Sequence, residues 1–308
     1  MSVMQEKAIE ESLETVSDVT QTRKPLSRTG LVWLRLKKMP RFWIGITIVV
    51  AIILWAFVGP LVYPWSITDR DPLNMGMGPT MIHWFGTNSI GQDIYAQTLA
   101  GLQKSLIIGL VAGPTATLIA AVVGSTAGYI GGWVDRVIQW VILLLLVIPA
   151  FFLFILLAPL IKGLGWVVLM FYIALFSWMI MAQVVRSQTR SLRNRDFVRA
   201  ARYMGEPTHT ILSRHIIPNM ASLLIIDATL GVVSAIMAET SLSYFGFGIQ
   251  KPDVSIGTLL ADGTAAAVTR PWLFVFPAFV LIVLLFAISL VGDALRDAID
   301  PTSGMNRD

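Results

Sequence analysis

The chain has 308 residues, of which 55% are hydrophobic and only 14% are charged. Soluble domains carry about 25% charged residues, so this composition excludes an ordinary soluble enzyme and indicates an integral membrane protein. There is no cysteine, no lysine follows a glycine, and the three histidines are scattered, which excludes thiolate ligands, a Walker A phosphate loop and a His-rich metal site.

The first predicted element is a polar cytoplasmic tail over residues 1–41, within which Trp33 to Met39 has the basic face of a short interfacial helix. Six later stretches are mostly apolar over about 20 residues, the length that crosses the hydrocarbon core. Backbone amides must be paired inside lipid, so each stretch is predicted to be a helix. The predicted spans are 42–61, 106–130, 137–161, 163–185, 223–242 and 272–291.

The predicted fold is therefore an all-α integral membrane protein with six transmembrane helices, in a domain over 42–300 followed by a C-terminal tail over 301–308. A cytoplasmic N-terminus would place 18 of the 23 lysines and arginines on the inner side. This asymmetry predicts that both termini are cytoplasmic.

Small residues and prolines predict how the spans pack. The second span carries Gly109 and Gly113, then Gly124 and Gly128, and GxxxG spacings allow helix backbones to approach closely. We expect this packing to lie within one helix bundle. Pro149 permits a bend in the third span.

The cytoplasmic loop over residues 186–219 carries seven arginines. Asn194 is the predicted N-cap of a short helix, and Gly205 is placed where such a helix ends in a left-handed cap. A second short helix is predicted to run to about His215, where Pro218 stops it. Two short helices that meet at a glycine suit docking into a cleft of another protein. On charge alone, an arginine-rich loop that only fixes the topology is the simpler interpretation.

The spacing within this loop favours the docking interpretation. Ala200 and Ala201 are followed after three residues by Gly205, and after nine more residues by the sequence HIIPN. This pattern resembles the EAA loop of ABC importer permeases, which is the coupling helix that inserts into the ATPase subunit. Arg199 stands where that family has its leading glutamate. The residues matched to the coupling loop are Arg199, Ala200, Ala201, Gly205, His215 and Pro218.

Three further stretches narrow the resemblance: GTNSIGQD at 86–93, ETSLSYFGFG at 239–248 and GDALRDAIDP at 292–301. Together they resemble the C-type subunit of the dipeptide/oligopeptide/nickel permease family. The resemblance implies a type I ABC importer permease bundle in the bacterial plasma membrane. It also implies a heterodimer with a homologous second permease, two subunits that bind ATP and Mg, and an extracytoplasmic solute-binding protein. The partners of the chain itself are then these proteins and the lipid bilayer, with no nucleic acid, no cofactor and no enzymatic step of its own.

Two carboxylates, Asp227 and Glu239, lie in the fifth predicted span. An ionised carboxylate at mid-span costs about 2.5–3.5 kcal/mol, so both are expected to face protein or water. Asp227, Ser234 and Ser241 fall near one helical face and, with Glu239, are candidates for lining a translocation pathway. The alternative is a hydrogen bond to a neighbouring helix.

These two acids also motivate a rival function, a proton-coupled secondary transporter that acts alone. The six spans show no obvious inverted repeat of the kind such transporters contain. A membrane-bound enzyme is a weaker alternative, because no other cluster of reactive side chains sits at membrane depth. Peptides are expected as substrates rather than nickel, since cysteine is absent and histidine is scarce.

Overall fold

A computed structural model describes residues 28–161 and 163–299. Within these ranges every regular element is helical, and one isolated bridge joins Thr87 to Asp93. Residues 1–27 of the predicted N-terminal tail and the predicted C-terminal tail over 301–308 lie outside the described residues. The helices are α1 (Arg28–Lys37), α2 (Pro40–Val62), α3 (Ile94–Ile130), α4 (Gly132–Val147), α5 (Ala150–Ile161), α6 (Trp166–Ser177), α7 (Met179–Leu192), α8 (Asp196–Tyr203), α9 (Thr208–Thr210), α10 (Ala221–Tyr244), α11 (Ile256–Ala265) and α12 (Trp272–Ile299).

Four helical segments are long and apolar enough to cross a membrane: α2, α3, a continuous segment over Thr208–Tyr244, and α12. Two bent pairs, α4 with α5 and α6 with α7, also qualify when each pair counts as one span. The described chain therefore has four to six candidate spans, and the predicted all-helical membrane fold is confirmed. The cytoplasmic position of the termini stays a prediction.

The third predicted span is a sharply bent pair rather than one straight helix. The axes of α4 and α5 differ by 92°. Pro149 lies at the break, and the residue before it, Ile148, has an extended backbone with φ −86° and ψ 121°. Proline has no amide hydrogen to donate and drives the preceding residue out of helical conformation. The bend that Pro149 predicts is thus present.

α3 lies at the centre of the bundle and is the most enclosed of the four long helices, with half of its most apolar window buried. A Cβ atom added at Gly113 would lie 2.6 Å from the backbone carbon of Gly231 in α10. One added at Gly128 would lie 2.6 Å from the carbonyl oxygen of Arg186 in α7. Side chains at these two positions would push the helices apart. The glycine spacings therefore pack helices inside one chain, as predicted.

Candidate functional site

The first helix of the loop over residues 186–219 ends in the glycine cap that the sequence predicts. Gly205 has a φ of +80°, a conformation that costs residues with a side chain about 1 kcal/mol or more. The amide of Gly205 donates to the carbonyl of Arg202 and that of Glu206 donates to the carbonyl of Ala201, both at 3.1 Å. This pair of bonds is the Schellman motif, which satisfies the last carbonyls of α8.

The start of α8 differs from the prediction by one residue. Arg195, rather than Asn194, occupies the N-cap position, with an extended backbone and no side-chain capping bond. Asp196 in the first turn supplies the negative charge that the helix N-terminus favours.

The prediction that Pro218 stops the second short helix is wrong. From Thr208 the helical backbone continues through a π-helical turn over Ile211–Ile216 and a 3₁₀ turn over Ile217–Met220, and then enters α10. Pro218 lies in the first turn of the 3₁₀ segment, a position at which proline's fixed φ is compatible with helical backbone. The returning arm of the loop therefore runs without interruption into the helix that carries Asp227.

A side-chain contact ties the glycine cap to this returning arm. Nε2 of His215 lies 3.0 Å from Oε2 of Glu206, and both side chains are half-buried. Next to His215, Ile216 is fully buried. The two arms of the loop are thus held together by packing and by one polar pair.

One face of α8 is buried against the core of the chain, and the opposite face is exposed. Val198 and Ala201 are 0% and 1% exposed, and they belong to a core cluster that includes Tyr129 of α3. Ala201, one of the residues matched to the coupling loop, thus packs its methyl group into the chain's own core, and its role in docking stays a prediction. We call the exposed apolar and aromatic side chains of this helix and its cap the α8 outer face; they are Phe197, Ala200, Tyr203 and Met204.

Arginines of the loop bind groups of the same chain. In the first turn of α4, Asp135 is buried and accepts hydrogen bonds from Arg186, with Nη2 at 2.7 Å, and from Arg190, with Nη2 at 2.6 Å. The guanidinium of Arg202 lies 5.2 Å from the ring centroid of Tyr129, and that of Arg193 lies 5.9 Å from it. These contacts fix the loop against α3 and α4.

Sequence reasoning missed both anchors. Asp135, in the first turn of α4, is an acid on the same predicted side of the membrane as the arginine-rich loop. This charge complementarity was a usable signal. Tyr129 carries no such signal, because an aromatic residue at the end of a span is common at membrane interfaces. Arg199, which replaces the family's glutamate, is exposed.

The pathway candidates separate into two environments. Oδ2 of Asp227 accepts a hydrogen bond of 2.5 Å from Oγ1 of Thr117, which connects α10 to α3. Asp227 is half-buried, and two turns further along α10 the side chain of Ser234 is exposed. Ser241 is half-buried. An accessible polar strip on α10 thus includes Asp227 and Ser234.

The Glu239 side chain is fully buried, with 0% exposure. Oγ of Ser105 donates to its Oε2 at 2.9 Å, and Oγ of Ser243 donates to its Oε1 at 2.7 Å. Both carboxylate oxygens are therefore occupied by hydroxyl donors of α3 and α10. In this conformation Glu239 joins helices, which is the alternative that the sequence left open, and it does not reach a pathway surface.

A second polar cluster lies in the long loop between α2 and α3. His83 is 1% exposed, with Nδ1 at 2.7 Å from Oδ2 of Asp93 and Nε2 at 3.3 Å from Oδ2 of Asp71. Asp93 also caps α3 by accepting from the amide of Ala96 at 2.8 Å. A hydrogen bond from the Asn74 side chain is the main cause that holds the pKa of Asp71 below its ordinary value. This cluster fixes the loop to the N-terminal end of α3.

The GTNSIGQD stretch forms a tight turn at the same place. Nδ2 of Asn88 donates to Oε1 of Gln92 at 2.9 Å, so a neutral amide pair closes this turn. Across residues 28–161 and 163–299, no group of three or more His, Cys, Asp or Glu residues has the arrangement of a metal site.

A bundle of long apolar helices with an anchored, partly apolar loop at one end defines a polytopic membrane protein. The family described as binding-protein-dependent transport system inner membrane component matches residues 120–303, and the N-terminal TM domain of oligopeptide transport permease C matches residues 27–79. The chain belongs to the first of these families, whose match covers more than half of its length.

Curated relatives agree with this assignment. The chain is 51% identical over 249 residues to the oligopeptide transport system permease protein OppC of Mycobacterium tuberculosis. The matched region covers 80% of this chain and 86% of the relative. It is 34% identical over 281 residues to OppC of Bacillus subtilis, covering 91% and 92%. It is also 34% identical over 282 residues to the dipeptide transport system permease protein DppC of Bacillus subtilis, covering 91% and 87%.

The resemblance to ABC importer permeases is thereby confirmed. The chain is a multi-pass inner-membrane permease subunit of an ABC importer and is not itself the enzyme. Permeases of this kind work with an ATPase and with a binding protein. The comparisons give no support to the proton-coupled alternative.

Proposed function

We propose that this chain is one of two homologous permease subunits of a peptide importer. In this proposal it carries oligopeptides across the inner membrane, two ATPase subunits bind ATP and Mg on the cytoplasmic side, and a solute-binding protein delivers the peptide from outside. The names of the relatives support a peptide substrate, since they are oligopeptide and dipeptide permeases.

The observation that carries the proposal is the α8 outer face. Tyr203, the last residue of α8, and Met204, its C-cap, are 83% and 74% exposed, whereas the opposite side of the helix is buried in the core. An apolar surface outside the spans, rimmed by charged residues such as Arg199, is typical of a protein–protein contact. We propose that it docks into a cleft of an ATPase subunit.

The anchoring of α8 explains how a movement there would reach the membrane. Val198 and Ala201 belong to one packed cluster with Tyr129 and Ile216. Packed cores behave as rigid units, so a force on α8 shifts the inner end of α3 together with the returning arm that leads into α10. ATP-driven approach of two ATPase subunits then rocks two such bundles about the site between them.

We propose that the peptide passes along the accessible strip of α10. Asp227 offers one carboxylate beside the exposed Ser234, and such a group can pair with the ammonium of a peptide. Thr117 holds the carboxylate in place from α3. Ser241 lies further along the same helix. Glu239 does not join this strip, since its oxygens are already bonded within the core.

The test is uptake of labelled dipeptides and oligopeptides into vesicles that contain the chain with its partner permease, the ATPase subunits and the binding protein. We expect uptake only when ATP is supplied on the ATPase side and all components are present. The chain alone, under an imposed proton gradient, serves as the control and should show no uptake. Uptake by the chain alone, or ATP-driven uptake of other solutes in preference to peptides, would overturn the proposal.

A further inference from the structure

An exposed apolar surface lies at the C-terminal end of α2 and in the loop that follows it, on the side that the predicted topology places outside. Leu61 and Val62, in the last turn of α2, are 82% and 79% exposed, and Met81, in the loop that follows, is 96% exposed. Trp84 is 52% exposed beside them. We call these side chains and Ile82 the outer aromatic patch.

The patch is held firmly against the end of α2. The ring of Tyr63, which directly follows α2, lies 5.2 Å from the ring of Trp84 and 4.6 Å from that of Tyr95 at the start of α3. The hydroxyl of Tyr63 donates to the carbonyl of Ile82 at 3.1 Å. The loop carrying Met81 therefore lies at the level where the span ends.

A groove of about 400 Å³ crosses this patch, and none of its lining side chains carries a charge at neutral pH. The surface is continuous with the exposed side of α2, where Leu54, Phe57 and Val58 are all about half exposed. The lining residues are Val62, Tyr63, Pro64, Trp65, Met81, Ile82, Trp84 and Tyr95.

We propose that the outer aromatic patch docks into the outer leaflet of the bilayer, with lipid acyl chains in its groove. Aromatic rings are favoured at the boundary between acyl chains and headgroups, and exposed apolar side chains there leave water. The continuity with the exposed apolar side of the candidate span α2 and the absence of charge favour a lipid chain over a charged ligand. This proposal does not rest on the proposed transport function.

The chain contains no cysteine, so single cysteines report on single positions. We would replace Met81 by cysteine, attach a nitroxide spin label, and reconstitute the full chain in vesicles of equal parts phosphatidylethanolamine and phosphatidylglycerol. Thr68→Cys is the matched control, because Thr68 is exposed in the same loop beside the charged residues Asp69 and Arg70. Relaxation by oxygen, which concentrates in lipid, is compared with relaxation by a water-soluble nickel chelate.

At Met81→Cys we expect the ratio of oxygen to nickel-chelate accessibility to exceed that at Thr68→Cys by about tenfold, which corresponds to about 1.4 kcal/mol of preference for lipid. The expected ratio is the same with and without the partner subunits. Equal ratios at the two positions would show that the patch faces water. A label that becomes inaccessible to both reagents only when the partner permease or the binding protein is added would show a protein contact instead. Either result overturns the proposal.

Discussion

Two neighbouring alanines of α8 allow the same substitution to test two opposite environments. Ala201 is 1% exposed and packs in the cluster that contains Val198 and Ile216, whereas Ala200 is exposed on the α8 outer face. We predict that Ala201→Asp disrupts the fold of the loop. We predict that Ala200→Asp leaves the fold intact and disrupts binding of the ATPase subunit.

The structure sets the size of each effect. At Ala201 the new carboxylate would replace a methyl group in an apolar core, and a buried unpaired charge costs several kcal/mol. Total stabilities are only about 5–15 kcal/mol, so this is a large share. At Ala200 the carboxylate stays in water, and such surface changes usually alter stability by less than about 0.5 kcal/mol. In a contact with a partner the same charge would lose its water and weaken binding.

Two measurements separate the outcomes: the melting temperature of the purified chain, and the amount of ATPase subunit that co-purifies with it. For Ala201→Asp we expect a lower melting temperature or loss of folded protein. For Ala200→Asp we expect a wild-type melting temperature with reduced ATPase. A wild-type melting temperature for Ala201→Asp would refute the packing of α8 against the core. Full ATPase binding and coupled hydrolysis in Ala200→Asp would refute the docking role of the outer face.

Four further changes test other contacts. Gly205→Val should strain the cap of α8 by about 1 kcal/mol or more and reduce co-purification of the ATPase, and unchanged ATPase binding would show that the cap is not needed. Asp227→Asn keeps an acceptor for the Thr117 hydroxyl, so assembly should stay normal, and it should raise the peptide concentration needed for half-maximal uptake. Normal uptake by Asp227→Leu would place the residue outside the pathway. Glu239→Leu leaves two buried hydroxyls without their acceptor, at about 1–3 kcal/mol for each group, so it should melt below Glu239→Gln, and equal melting temperatures would contradict the hydroxyl contacts. Because the pKa of Asp71 is lowered from its ordinary value of 3.8, its ionised carboxylate stabilises the fold at pH values above 3.8, and this contribution is lost as the pH falls below 3.8. The melting temperature of Asp71→Asn in acid should therefore depend less on pH than that of the wild type. Identical curves for the two proteins would contradict this.

Local chemistry made part of the loop predictable. A glycine at the end of an amphipathic helical stretch predicts a left-handed cap. Gly205 has that conformation because only a residue without a side chain adopts it at low cost. Pro149 predicts a break for a similarly local reason. Such features depend on a few neighbouring residues, so they can be read from the chain alone.

Features that depend on distant residues were less predictable. Ala200 and Ala201 have identical chemistry, and only the packing of α8 against the π-helical turn over Ile211–Ile216 and the rest of the core cluster decides which of them is buried. Glu239 is sealed because Ser105, on another helix, donates to it. Pro218 lies between a π-helical turn and more helix, and no propensity rule predicts that arrangement in this sequence.

One measurement tests the central claim that the ATPase drives this permease through α8. A benzophenone label is attached to Met204→Cys, whose position is 74% exposed on the α8 outer face, and the labelled chain is assembled with its partners and illuminated. Met81→Cys, which is exposed on the outer aromatic patch, serves as the control. The account predicts a covalent adduct with the ATPase subunit from Met204→Cys only, together with loss of ATP-driven peptide uptake after illumination. Assembled and active complexes that give no ATPase adduct from Met204→Cys would contradict it.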